Sequence, residues 1–304
     1  MLSPKNMKQH KIPEVYLKKW GYVNESNQPM VSIMTKGEHW LRQKSIGSFL
    51  AETNIFDIDD TTDERIPRLF EDLNTEFDNR YNNIVSELER NEKLGDENYS
   101  ILIQLLPNFM IRTDYWRNFV HKLLDEGGNG KLNFLKVITS KFAKASGDYE
   151  NYYNTHPLFQ KLVKSNADQI INRVLILFIS HLLDSIAHFE ITFLKSQEGK
   201  YWLTSDNPVI ANNKPDGNFI LVGKDSDFFL PLSPKILAYY HYPNSVDKSY
   251  RLRNYETNKI HQADDSLHQE LMEETHLNAL EHIIFAGELK ATFDKKTGEL
   301  LKNS

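Results

Sequence analysis

The chain has 304 residues, with 36 Lys plus Arg against 42 Asp plus Glu, a net charge of -6, 40% hydrophobic residues and no cysteine. That length and apolar content suit one domain or two packed lobes and exclude a disordered chain. The acidic balance excludes a uniformly basic nucleic-acid coat but leaves room for a local basic groove, and the missing cysteines exclude disulfides, thiol nucleophiles and Cys-ligated zinc. The opening MLSPKNMKQHKIPEV lacks the apolar core of a signal peptide. The longest apolar run, residues 174–179, is too short to span a bilayer. A cytoplasmic protein that does not enter a membrane is the expectation; no oligomeric state follows.

Residues 1–58 read as irregular, with short strands at 30–35 and 54–58. Asp63 is placed to cap a helix running to Leu88, because Ile66, Phe70, Leu73, Phe77, Tyr81 and Ile84 recur at three- and four-residue steps, with Pro67 in the first turn. Further helices are expected over 98–124, kinked at Pro107, over 131–145, and over 166–188. Then the period changes. Residues 189–195, 201–204, 219–222, 228–230 and 236–242 read as strands. Asp264 or Asp265 caps a last helix ending near Gly287, and residues 294–298 read as a hairpin turn. This order predicts an α+β fold in one domain over 1–304, mainly helical in its first two thirds and packed on a mostly antiparallel sheet with a C-terminal helix. A helical lobe of about 60–188 precedes a strand-rich lobe of about 189–304, joined by the N-terminal segment.

Several side chains invite chemistry. Gln104, Asn108 and Arg112 step by four along an otherwise apolar helix, so something polar should face them. His181, Asp184 and His188 have a spacing that places two of the three within reach of one metal, but a polar helix face is the better account of them. Ser205-Asp206-Asn207 and Lys296-Thr297-Gly298 copy two serine β-lactamase motifs, but the needed Ser-x-x-Lys occurs only at 245–248, on the wrong side. Residues 5–19 hold Lys5, Lys8, Lys11, Lys18 and Lys19 against Glu14, and Lys131, Lys136, Lys141 and Lys144 form a second basic run. If the two met, they would line a cleft for a polyanion; otherwise they are solvated faces. Residues 51–93 hold thirteen acids against five bases.

His10-Lys11-Ile12-Pro13-Glu14-Val15-Tyr16-Leu17-Lys18-Lys19-Trp20 resembles the N-terminal signature of DUF4238, a bacterial protein family of unknown function. The resemblance extends to Arg112-Thr113-Asp114-Tyr115-Trp116-Arg117, to Leu203–Val209 with its Ser-Asp-Asn-Pro, to Pro231-Leu232-Ser233-Pro234, and to Asn278. Glu71 and Glu76 fall where that family has acids on a long helix. Lys11 departs from the aromatic residue common after the histidine. The resemblance implies an α+β domain and no activity. Arg117 to His121 also resembles the Arg-to-His helical motif of HEPN-type ribonucleases, with three intervening residues where that motif has four or more.

Taken as chemistry, His10 is a base or metal ligand, Arg112 a clamp for an anion, Asp206 a metal ligand or orienting acid, and Glu71 or Glu76 a second carboxylate. Ser205, Asn207, Lys8, Lys11 and Asn278 would contact substrate. This set suits metal-assisted hydrolysis of a phosphodiester with Mg²⁺ or Mn²⁺, and nucleic acid or another phosphate-bearing ligand as partner. A role in bacterial defence is an expectation at the genome level rather than from residues. The rivals are a non-catalytic module that binds an anion or a partner, and a metal-free ribonuclease on Arg117 and His121. Against catalysis, Asp206 and Ser205 also suit a turn before Pro208, and Arg112 also suits pairing with Glu71 or Glu76 inside the fold.

Overall fold

The structure, a computed structural model, describes residues 8–58, 69–125, 129–212, 226–243, 255–289, 292–293 and 300–301. At the N-terminal end, β1 (Lys8–His10) pairs antiparallel with β5 (Ala51–Thr53). Between them lie α1 (Glu14–Trp20), β2 (Tyr22–Val23), β3 (Pro29–Thr35) and β4 (Leu41–Ser45). Residues 54–58 do not form the expected strand. Asn54, with φ of 55°, turns the chain out of β5 instead.

The helical layer begins with α2 (Leu69–Asn91), whose Phe70, Phe77, Tyr81, Ile84 and Leu88 are buried on one face. Asp63, Ile66 and Pro67 lie outside the described residues. The single helix expected over 98–124 is two, α3 (Asp96–Ile111) and α4 (Asp114–Asp125). Pro107 lies inside α3 without ending it. The break falls at Arg112 and Thr113, because the Thr113 hydroxyl donates to the Met110 carbonyl at 3.0 Å and accepts the Trp116 N–H at 3.4 Å. The helix expected over 131–145 is likewise split into α5 (Gly130–Ile138) and α6 (Ser140–Ser146). Thr139 divides them, its hydroxyl donating to Leu135 O at 2.6 Å. Two short helices were not anticipated: α7 (Tyr149–Thr155), capped by Asp148, and α8 (Pro157–Lys164), opened by Pro157. α9 (Ala167–Ile186) starts at an Asn166 cap. Among the described residues no single helix is long and apolar enough to cross a membrane.

Among the described residues ten of the strands form two five-stranded sheets. They are β6 (Glu190–Lys195), β7 (Thr204–Ser205), β8 (Ile210–Asn212), β9 (Asp227–Pro231), β10 (Ile236–His241), β11 (Ile260–Gln262) and β12 (His282–Phe285), together with the N-terminal β2 to β4. The first sheet runs β11-β6-β10-β9-β8, antiparallel except for β11 on β6. In the second, β3 pairs antiparallel with β2, β4 and β12, and β12 with β7. Of the expected strand 201–204, only Thr204 is in a ladder. The strand expected at 219–222 lies outside the described residues, as do 245–248 and the turn 294–298. β13 (Thr292–Phe293) and β14 (Leu300–Leu301), on either side of that turn, pair antiparallel. α10 (Asp265–Asn278) is capped by Asp264 and ends at Asn278 rather than near Gly287, since the chain then enters β12. One buried apolar cluster runs from α1 through the helices and into both sheets.

Gly21 ends α1 where a Cβ would meet Ile46 Cδ1 at 2.8 Å and the Met30 carbonyl oxygen at 2.9 Å. Gly21→Ala should therefore destabilise the protein by about 1–3 kcal/mol, read as a lower urea midpoint with an unchanged slope.

Candidate functional site

β1 carries the N-terminal motif to the helices. Gln9 is buried, accepts the Phe56 N–H at 2.7 Å and donates to Asp57 at 2.6 Å. At the next residue, the His10 carbonyl accepts Arg112 Nη2 at 2.7 Å. Arg112 is 1% exposed, and its Nη1 reaches Asp78 Oδ1 at 3.3 Å and Asn108 Oδ1 at 3.4 Å. Asn108 in turn donates to Asn74 at 2.6 Å. The polar stripe of α3 thus faces a matching stripe on α2, four residues apart at Asn74 and Asp78. Arg112 Nε and Asn74 Nδ2 are buried in this layer and meet no hydrogen-bond partner among the described residues.

The His10 ring is half-buried, with Nε2 3.2 Å from the Ile46 carbonyl. Burial lowers its pKa below 6.5; the Ile46 bond and Glu14 oppose that, Arg112 adds to it, and Asp78 opposes it. Burial raises the Asp78 carboxyl, against the pull of Arg112. His10, Arg112, Asp78 and Glu14 are therefore one electrostatic group. The acid facing Arg112 is Asp78, and neither Glu71 nor Glu76 is its salt-bridge partner. Glu71 is half-buried near the start of α2, and Glu76 points to solvent. Arg80, four residues after Glu76, pairs with Glu97 at 3.1 Å. Of the lysines expected to meet substrate, Lys8 is exposed, while Lys11 is buried against Asp114 at 2.7 Å and Glu52.

Asp206 belongs to a different group. Its Oδ1 accepts the Leu280 N–H at 2.9 Å, and its Oδ2 accepts those of Glu281 at 2.8 Å and His282 at 2.9 Å. Burial raises this carboxyl and the three N–H groups pull it back down. Asn278 Nδ2 donates to the Asn207 carbonyl at 2.6 Å and the Val209 carbonyl at 2.9 Å, while Asn207 Nδ2 returns a bond to Asn278 O at 3.1 Å. Ser205 Oγ donates to Asn207 O at 2.9 Å and accepts its N–H at 3.2 Å. Ser205, Asp206 and Asn207, with Asn278, thereby fasten this turn to the end of α10 and the start of β12. No hydrogen bond or ion pair joins Asp206 to His10 or Arg112 among the described residues.

α1 lies between the two groups. The Tyr16 hydroxyl is 2.5 Å from Thr204 Oγ1, and Trp20 Nε1 donates to Trp202 O at 3.2 Å. The Tyr16 ring packs on Phe109 at 4.9 Å and Tyr81 at 5.7 Å, and the Tyr81 hydroxyl donates to Leu232 O.

The remaining candidates are on the helical side. Arg117 is nearly buried, with bonds to Asn172 at 2.9 Å and Asp168 at 3.1 Å, and half-exposed His121 reaches the same Asp168 oxygen at 3.1 Å. His181 and His188 are exposed, and Asp184 pairs with Lys141 at 2.6 Å. Among the described residues no three or more His, Asp or Glu side chains are grouped to hold a metal. Lys18 pairs with Glu14 at 2.8 Å, and Lys131 donates to the Ser165 carbonyl at 2.6 Å. Lys5 and 296–298 lie outside the described residues.

Sequence reasoning missed Gln9, Asn74, Asp78 and Glu14 as members of the polar layer. The signal for two of them was available: Asn74 and Asp78 share the α2 face of Phe70, Phe77 and Tyr81 at three- and four-residue steps.

The chain belongs to the protein family of unknown function DUF4238, which it matches over residues 8–285. No curated protein and no solved structure matches it.

Asp206→Asn keeps the size but turns an N–H donor toward the backbone N–H groups. It should destabilise the fold by about 2 kcal/mol or more, with a fall in thermal midpoint that a purely catalytic Asp206 would not show. A second outcome concerns pH. The lowered pKa values of His10 and of buried His268 mean that the unfolded chain binds protons first as pH falls through 6.5. Their contribution is complete above that pH and is lost as pH drops toward the folded values. The urea midpoint should fall between neutral pH and about pH 5, and His10→Gln should flatten part of that fall.

Proposed function

We propose that this protein is a hydrolase of phosphate esters, nuclease-like in its chemistry, with His10 as the proton acceptor. The observation that carries the reading is the His10 ring facing the Ile46 carbonyl through Nε2. A carbonyl only accepts, so in the neutral ring Nε2 holds the proton and Nδ1 keeps its lone pair. Burial and the Arg112 charge keep the ring neutral at pH 7, the state a general base needs. The carboxylates of Glu14 and Asp78 favour the imidazolium formed once the ring has taken a proton. In the reaction a water gives its proton to Nδ1, the water oxygen bonds to phosphorus, the phosphorus bond to the leaving oxygen breaks, and that oxygen takes a proton from solvent, to which the imidazolium then returns its own. Arg112 supplies a fixed positive charge behind the ring. Of the two expected ligands of Mg²⁺ or Mn²⁺, Asp206 is engaged by backbone N–H groups and His10 acts here as the base, and no three acids or histidines are grouped among the described residues, so no step is routed through a metal. Asp206 takes no part in this reading.

A non-catalytic anion- or partner-binding module is the second reading. The internal pairing of Arg112 with Asp78 and of Lys11 with Asp114 takes from the site the cations that would clamp a phosphoryl group, and it turns this second reading toward a partner rather than an anion.

The test is hydrolysis of single-stranded, double-stranded and structured nucleic acids by the purified chain, with Mg²⁺, with Mn²⁺ and with EDTA. The rate should rise as pH climbs through the depressed His10 pKa and level off by pH 7. His10→Gln should lower kcat by about 10²-fold or more with KM little changed. Cleavage that survives EDTA and is lost in His121→Gln but kept in His10→Gln would move the chemistry to Arg117, His121 and Asp168. Absence of cleavage under every condition would leave the binding reading.

A further inference from the structure

We infer that the groove between α8 and α9 is a separate binding site for a phosphate ester of nucleotide size. The groove is open to solvent and offers about 620 Å³, inside the ~300–1,000 Å³ range of small-molecule sites. Lys161, Lys164 and Arg173 line it with Ser165, Gln160 and Gln169, and no acid lines it among the described residues. Lys161 and Lys164 are three apart, so they project from one face of α8. Arg173 comes from the facing side of α9, where Nη1 donates to Ser165 Oγ at 3.2 Å, which holds the guanidinium at the groove. Lys131 does not line the groove but bonds the carbonyl of Ser165, which does.

The surroundings have the same sign. Residues 129–165 carry six lysines against Asp148 and Glu150, and of the six Lys141 is paired with Asp184. The acid in the first turn of α9, Asp168, is paired with Arg117 and His121 and is thereby neutralised. Pro157 and the lysine stems supply apolar surface against which a sugar or base can pack. Two lysines and an arginine converging on one open groove match a group with several charged oxygens, as in a diphosphate. The lining residues belong to neither the His10 nor the Asp206 group, so the site stands apart from the proposed hydrolysis.

Calorimetric titration of the full chain with a nucleoside diphosphate, and with the unphosphorylated nucleoside, tests the assignment. The diphosphate should bind, more weakly as salt rises, and the nucleoside should not. Lys161→Ala with Lys164→Ala should weaken diphosphate binding by about tenfold or more, while a cooperative thermal transition is kept because both side chains are exposed. His10→Gln should bind the diphosphate as the parent does, which separates this site from the hydrolase reading. No binding of the diphosphate, or unchanged affinity in the double lysine variant, would overturn the proposal. Tighter binding of a short single-stranded oligonucleotide than of the diphosphate would overturn the small-ligand assignment in favour of a polymer backbone.

Discussion

Burial of Tyr16 is the constraint from which most of the arrangement follows. α1 has seven residues, and isolated helices below about 12–15 residues are marginal in water. It exists because Tyr16, Leu17 and Trp20 are fully buried. Burial pushes the Tyr16 hydroxyl well above the ordinary tyrosine pKa, so it remains a neutral donor or acceptor facing Thr204. A buried hydroxyl and a buried indole N–H each need a partner. Both find one in the stretch 202–204, and that fixes where the Ser205-Asp206-Asn207 turn must lie. The same ring rests on Phe109 of α3 and Tyr81 of α2, which places Arg112 and Asp78 at the other end of α1.

The family motifs thus meet in space, but not at one reactive centre. His10 and Arg112 share a polar layer with Asp78 and Asn108. Asp206 and Asn207 share a turn with Asn278. Leu232, in the Pro-Leu-Ser-Pro stretch, takes the Tyr81 hydroxyl, and Ser233 accepts the Ile236 N–H at 3.2 Å in the turn between β9 and β10. Most motif residues therefore close internal polar contacts. His10 differs in keeping a partly exposed ring with a lone pair, and for that reason the chemistry is proposed there.

Much of this was legible in the residues, and the failures have physical causes. The α+β segregation was visible because hydrophobic period changes at about residue 189. The Asn108–Arg112 stripe announced a polar partner, but a single helix cannot say which face of another helix supplies it, so Glu71 and Glu76 stood where Asp78 belonged. Pro107 suggested a kink, yet its ring is accommodated in α3, and the real break needed Thr113 to bond in both directions. α7 and α8 are too short for a periodic signal and were marked only by Asp148 and Pro157. Asp206 was ambiguous in principle: a carboxylate ahead of a proline suits a metal or a turn equally, and only the approach of residues 280–282, over seventy positions away, distinguishes them.

The ladder between β3 and β12 bears on how the chain reaches this state. It sets Ser32 opposite Phe285, a loop of roughly 250 residues, and closing so distant a pairing is slow compared with local helix formation. During synthesis β2 covers only residues 29 and 30 of the flank of β3 that receives β12, and residues 32–35 of that flank have no strand to meet until nearly the whole matched region has left the ribosome. An unpaired edge is where chains join one another by mistake. β4 guards the opposite flank early, because only a short connection separates it from β3. The open flank carries the hazard, and the last segment to arrive removes it.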